Sequence, residues 1–459
     1  LQQQLTEQGE QTVNQQRQQV AKKTKAATDT LVLNEELTRI LIDQQLQEAG
    51  WEADSQDITF QKGARPEKGH YRAIAEWPTN HNGEKGRADY VLFAGLTPIA
   101  VVEAKKENTN VAGKIRQAER YSKGFKVEAP LVGAWELMGR TIAWPADESG
   151  HYHVPFVYSC NGRPYVPQLA EQSGTWFRDV REPCNLRRAL PQFHTPGGLL
   201  DLLERDKENA EKLLKDEPFS YLKLRDYQQK AIVATEHALA RGVRTALLAM
   251  ATGTGKTRTI IGLMYRFLKA ERFHRILFLV DRTALGQQAI DAFNEAPLEQ
   301  NHPLSKIYNV AELGDMAAEA ETRIQVATVQ AMVKRIFMSD NPPPIDQFDC
   351  IIIDEAHRGY TLDQEMTEGE LALRDTSQYL SSYRRVLDYF DAVKIGLTAT
   401  PAKHTSEIFG KPVYTYSYRE AVADDWLIDH EPPIRYETLL TQNGITFEKG
   451  KPVEVINRQ

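Results

Sequence analysis

The chain has 459 residues, 41% hydrophobic and 26% charged, which is enough for two or more domains and excludes a disulfide-stapled mini-protein or a wholly disordered, collagenous or coiled-coil protein. Its formal net charge of -7 leaves only local basic surfaces for contact with nucleic acid. Cys160, Cys184 and Cys350 cannot form a CxxC pair, no apolar run approaches the ~20 residues of a membrane span, and the amino terminus is not that of a signal peptide, so a cytoplasmic, reducing setting is expected.

Residues 1–30 form a glutamine-rich leader ending in Lys22, Lys23 and Lys25, suited to a solvated helix or a disordered segment. Over 34–50, Leu37, Ile40, Leu41 and Leu46 recur at helical spacing, with Gly50 placed to end the helix. Strands are predicted at 71–75, 90–94 and 98–103, then a helix over 111–123 closed by Gly124, which together make a first α/β domain over 31–165. Residues 166–220 read as a connector, rich in Pro and Gly (Gly174, Pro183, Pro191, Pro196, Gly197, Gly198) and followed by a charged helical run over 199–214. From 221 to 430, apolar strands at 245–250, 275–280, 323–327, 349–353 and 392–397 alternate with helix-length segments, the pattern of a doubly wound parallel sheet. Residues 431–459 carry weak strand signals with Pro432 and Pro433, and no internal repeat is seen. Because the chain starts at Leu1 and stops in a polar stretch, it is expected to be a piece of a longer protein.

Two patterns carry chemistry. In the second domain, Ala251-Thr252-Gly253-Thr254-Gly255-Lys256-Thr257 lies between a predicted strand and a predicted helix. Glycines there let backbone N–H groups converge on phosphates at a helix N-terminus, Lys256 adds a point charge, and the Thr257 hydroxyl can ligate Mg²⁺. The strict phosphate-loop pattern fails only at its first place, Met250. Asp354-Glu355-Ala356-His357 follows the buried run 350–353, at the strand end where ligands of such sheets bind. Asp354 is suited to hold Mg²⁺, Glu355 to orient and deprotonate an attacking water, and His357 to sense nucleotide state.

In the first domain, Asp89 is followed by Glu103 and Lys105, which alternation places on one strand face. Two carboxylates can hold Mg²⁺ near a phosphodiester while the lysine positions the attacking water and stabilises the transition state; a surface hairpin with a solvated ion pair is the competing reading. Gln117 and Tyr121 share a face of the following helix, and 105–126 carries seven Lys/Arg against Glu107 and Glu119, a surface suited to phosphate. Glu35 or Glu36 could add a third carboxylate. His151 and His153 would share a strand face but lack a nearby third ligand.

These motifs resemble known families. The loop at 251–257 and the acidic run at 354–357 resemble motifs I and II of superfamily 2 helicases and translocases. Leu224-Arg225-Asp226-Tyr227-Gln228-Gln229 resembles the adenine-reading segment, implying that Arg225 and Gln228 contact the base of ATP. Leu397-Thr398-Ala399-Thr400-Pro401 resembles motif III, and Val280-Asp281-Arg282 and Ala327-Thr328-Val329-Gln330 resemble the motifs that grip a nucleic-acid backbone. Residues 402–459 are too few for the second motor lobe with its arginine finger, so 431–459 would be the start of that lobe. Asp89, Glu103 and Lys105 resemble the core of PD-(D/E)xK nucleases, with Ala88 in place of the Pro, and Gln117 with Tyr121 resembles the QxxxY element of RecB-like members. The implied fold class is α/β: a PD-(D/E)xK-type nuclease domain followed by a RecA-like doubly wound parallel-sheet helicase lobe. That order, with Asn34-Glu35-Glu36-Leu37-Thr38-Arg39 and Gly50-Trp51, resembles the restriction (motor) subunit of type I restriction–modification enzymes over 30–459. The resemblance implies ATP and Mg²⁺ as cofactors, with two separate Mg²⁺ sites. It also implies double-stranded DNA and the methyltransferase and specificity subunits as partners, no membrane, and cleavage of unmodified DNA after ATP-driven translocation. Two alternatives stay open: a stand-alone helicase–nuclease of DNA repair or phage defence, and a translocase whose first domain is a silent binding module.

Overall fold

Two long strands rich in β-branched and aromatic residues, β2 (Tyr71–His81) and β3 (Glu84–Ala94), pair as an antiparallel hairpin and found the first sheet. The computed structural model describes residues 35–105, 110–146, 150–281, 283–311, 321–356, 376–401 and 403–429. The expected leader, the expected start of a second lobe, Arg282, His357 and the side chains of Glu35 and Glu36 lie outside the described residues. The first sheet has seven strands in the order β1 (Glu52–Ala53), β2, β3, β4 (Thr97–Ala104), β7 (Phe156–Cys160), β8 (Thr175–Asp179) and β9 (Arg188–Leu190). A separate short pair, β5 (Trp144–Pro145) and β6 (His151–Tyr152), lies outside it.

Helix α1 (Glu35–Glu48) precedes the sheet, and α2 (Val111–Lys123) packs across β4, β7 and β8. Asn110 caps α2 by accepting from Gly113 N, and Arg120 and Lys123 sit in the last turn, where the helix dipole favours cations. The stretch read as a connector supplies β8 and β9 to this sheet and two helices, α3 (Pro196–Glu204) and α4 (Lys207–Asp216). Glycine and proline masked these strands because they are only five and three residues long and carry too little pattern of their own; β8 pairs with β7, and β9 with β8. The single helical run expected at 199–214 is broken at Arg205, where Asp206 caps α4 through Asn209 N.

The second sheet is wholly parallel, in the order β12 (Val310–Ala311), β13 (Ile324–Thr328), β11 (Ile276–Val280), β14 (Cys350–Ile353), β15 (Val393–Thr398), β10 (Thr245–Met250) and β16 (Tyr414–Tyr416). It is flanked by α5 (Asp226–Ala240), α6 (Lys256–Lys269), α7 (Thr283–Glu295), α8 (Val329–Phe337) and α9 (Thr376–Tyr389). Strands buried on both faces read as continuous apolar runs, which is why 276–280 and 350–353 were legible. Alternate residues of these strands enter different cores. Leu248, Phe278 and Ile352 join one cluster, whereas Leu247, Leu277, Leu279, Ile351 and Ile353 belong to the same buried cluster as the first sheet's Tyr90, Val101 and Tyr158.

Charges complete this seam. Asp391, just ahead of β15, accepts from Arg188 Nε and Nη2 at 2.6 Å, from Arg244 Nη2 at 2.7 Å and from His194 Nε2 at 2.8 Å. Asp349, just ahead of β14, pairs with Arg205 at 2.9 Å, and Asp346 accepts from the Thr195 backbone N–H at 2.6 Å.

Candidate functional sites

The hairpin and β4 bring the first constellation together. Asp89 Oδ2 accepts from Ala104 N at 2.8 Å, which fixes its carboxylate against the end of β4, where Glu103 and Lys105 lie. Lys105 Nζ pairs with Glu103 Oε1, while Glu103 Oε2 is buried and accepts no hydrogen bond. Glu103 is only 1% exposed. Burial pushes its carboxyl up to about 7, and the nearby charge of Asp89 adds to that, against the lowering influence of Lys105 and Arg120. Asp89 is also raised, chiefly by burial.

Arg39 of α1 was not singled out for this site. Its Nη2 donates to Asp89 Oδ1 at 3.0 Å and its Nη1 to Glu76 Oε1 at 3.0 Å, and Arg87 holds the other Glu76 oxygen at 2.9 Å. Glu76 adopts φ +57° within β2. On α2, Gln117 Nε2 donates to the Tyr121 hydroxyl at 2.8 Å, and the Tyr121 ring packs on Gly86 of β3. Among the described residues no group of three or more His, Cys, Asp or Glu side chains is placed to hold a metal. His151 is exposed and His153 bonds the Lys123 carbonyl. A cation at the first constellation would therefore rest on Asp89 and Glu103, and the orphaned Glu103 Oε2, buried beside a second carboxylate, fits that role.

The second constellation lies where β10, β11, β13, β14 and β15 all end. Gly253 and Gly255 take φ +84° and +74°, so the loop after β10 folds back onto the start of α6. Thr254 Oγ1 donates to Ala251 O at 2.6 Å. Thr252, Gly253 and Gly255 are exposed, Thr257 is half-buried in the first turn of α6, and Lys256 is buried. Lys256 Nζ meets Glu355 Oε1 at 3.3 Å, joining the loop to the acidic pair after β14. Glu355 holds φ +49°, and its N–H donates to Asp354 Oδ1 at 2.9 Å. The Thr398 hydroxyl at the end of β15 accepts from Thr400 N at 3.2 Å, and Thr328 caps α8 through Ala331 N. Gln228 of α5 donates twice, to Thr254 O at 3.0 Å and Gly255 O at 3.1 Å, and accepts from Arg225 N at 3.0 Å. Tyr227 also donates to Thr254 O, at 2.9 Å.

The class these features define is a mixed α/β chain in which a helicase-like parallel-sheet lobe is joined to a smaller mixed-sheet unit carrying its own acidic centre. Residues 221–403 match the family described as the type III restriction enzyme res subunit, and residues 52–203 match the second domain of the type I restriction enzyme EcoKI endonuclease subunit. The chain is 49% identical over 444 residues to the EcoKI endonuclease subunit of Escherichia coli K12, which covers 94% of this chain and 38% of that protein. It is 28% identical over 368 residues to the EcoAI endonuclease subunit of Escherichia coli, covering 75% and 37%. A fragment structure of an HsdR subunit from Vibrio vulnificus aligns over 86% of this chain and 61% of that one, at 26% identity and a TM-score of 0.31. The chain is thus homologous to the endonuclease subunits of type I restriction enzymes and spans less than two fifths of the length of these relatives.

Proposed function

We propose that this chain is the DNA-cleaving and first motor portion of an ATP-driven DNA translocase that works in the cytoplasm with methyltransferase and specificity subunits and cuts unmodified double-stranded DNA. In this reading the unit over 31–165, extended by β8 and β9, is a PD-(D/E)xK-type nuclease domain, and 221–430 is the first RecA-like lobe. The observation that carries it is the pairing, in one chain, of the Asp89–Glu103–Lys105 cluster with the Lys256–Glu355 pair at the phosphate loop.

Asp89 and Glu103 would hold one Mg²⁺, which when bound polarises the scissile phosphodiester and makes its water more acidic. Lys105 then faces the non-bridging oxygens, where negative charge grows, and Gln117 and Tyr121 line the approach from α2. In the motor, Thr257 and Asp354 would hold a second Mg²⁺ with the nucleotide. An arriving triphosphate competes for Lys256, releasing Glu355 to take the proton of the attacking water.

In the full-length protein, Lys105→Ala should abolish Mg²⁺-dependent cleavage while DNA-stimulated ATP hydrolysis persists, and Lys256→Ala should abolish hydrolysis and, with it, ATP-dependent cleavage. Cleavage by Lys105→Ala at the wild-type rate would remove the nuclease assignment; hydrolysis by Lys256→Ala would remove the motor assignment. Gentle purification from the native host should recover a DNA methyltransferase and a specificity protein.

A further inference from the structure

Gln228, which the helicase resemblance implies would contact the base, is turned inward: both hydrogens of its amide are spent on the Thr254 and Gly255 carbonyls, and its oxygen accepts from Arg225 N. With no N–H left to read a base, it serves as a strut between α5 and the phosphate loop. The exposed groups at the mouth of that loop are different ones. Trp426 lies in the turn after the helix Tyr418–Ala423, pinned by its own N–H to Ala421 O at 2.8 Å, yet its side chain is 46% exposed. The Arg225 guanidinium stands 3.9 Å over the Trp426 ring, and Arg225 Nη1 is steadied by the Tyr227 hydroxyl at 3.0 Å. Tyr227 stacks on Tyr416 at 4.1 Å and meets Trp426 edge-on at 6.2 Å. The neighbouring Leu427 reaches the phosphate loop itself, with Cδ2 3.1 Å from where a side chain on Gly253 would begin. The Trp426 indole of this turn and the Arg225 guanidinium ahead of α5, stacked on one another and each partly exposed, therefore stand beside the loop proposed to take the phosphates.

We propose that Trp426, with Arg225, is the platform on which the base of the nucleoside triphosphate stacks. This rests on the nucleotide-binding reading above and adds the residue that recognises the base. Stacking explains an exposed tryptophan at this place: the part of the indole that Arg225 leaves uncovered is desolvated only when a planar partner arrives, and the guanidinium marks the position such a partner would share or take.

The test uses the full-length protein and calorimetric titration with ATP and, separately, inorganic tripolyphosphate, which carries the phosphates without a base. Trp426→Ala should weaken ATP on the order of tenfold, by analogy with base–aromatic stacking, and leave tripolyphosphate unchanged. Trp426→Phe should restore most of the ATP affinity, and ATP should quench a part of the wild-type tryptophan emission that is missing in Trp426→Phe. Unchanged ATP affinity in Trp426→Ala overturns the proposal. Equal losses for ATP and tripolyphosphate also overturn it, since they mark a role in shaping the loop. A wild-type protein that binds tripolyphosphate and ATP equally well overturns the platform while sparing the phosphate site, whereas one that binds neither overturns both.

Discussion

Burial, with the neighbouring charge of Asp89 and one oxygen turned toward no donor, pushes the Glu103 carboxyl up to about 7 even though its other oxygen pairs with Lys105. The folded, metal-free protein keeps that proton up to about 7, whereas an unfolded chain loses it near the ordinary value of 4.5. Between those values the folded state binds more protons, so this group's contribution to stability falls as pH rises through the window and stays unfavourable above it. Glu103→Gln should therefore raise the metal-free protein's resistance to urea at pH 8 by about 1–3 kcal/mol while abolishing cleavage. A variant less stable than wild type at pH 8 would show that the charge is already compensated. Asp89, Glu103 and Lys105 were legible because strand alternation and spacing are local properties. Arg39 and Glu76 were not, since Arg39 meets Glu76 and Asp89 across 37 and 50 positions of sequence.

At the scale of elements, the parallel sheet could be read almost strand by strand, because each buried strand is an apolar run ending in a polar motif. Helix α2 was legible from its spacing and from Gly124, whereas its Asn110 cap was seen only in the structure. The short strands β8 and β9 were not, because they are brief and set among glycines and prolines, and β16 was not, because it is three residues long and its partner β10 lies far away in sequence. The phosphate loop also explains its own glycine. Gly255 holds φ +74°, and a methyl group there would sit 2.7 Å from Gln228 Nε2. Gly255→Ala should thus pull the Gln228 strut off the loop and weaken nucleotide binding at least tenfold, with a stability loss of about 1–3 kcal/mol. Titration of the purified variant with ATP checks this, and wild-type affinity would mean the loop tolerates the change by moving as a unit.

For the whole molecule, the seam between the two sheets decides how they move. Asp391 is buried among Arg188, Arg244 and His194, and despite that burial its carboxyl is held well below the usual carboxylate range by the charges of Arg188 and Arg244 and by the His194 hydrogen bond. Its contribution to stability is present above about pH 4 and is lost only as pH falls through the lowered folded value. Asp391→Asn leaves buried guanidinium charge uncompensated and should cost about 3–5 kcal/mol in chemical denaturation at pH 7. The gap between variant and wild type should narrow steadily in acid, and a gap unchanged by acid would place the stabilisation elsewhere. Neither Asp391 nor its partners carried any sequence signal, because a lone aspartate before a strand has no pattern until the fold brings two guanidiniums and an imidazole to it.

Asp349 and Asp391, both gripped at the seam, stand at the near ends of β14 and β15, and the far ends of those same strands carry Asp354 and Thr398. A continuous core and enclosed ion pairs allow little sliding between the sheets, so the spacing between the acidic centre on β3 and β4 and the phosphate loop is a fixed dimension of the molecule. On the proposed function the chain would then work as a ruler: wherever the parallel-sheet lobe gripped a duplex, the first domain could reach only the stretch lying at one set offset from it.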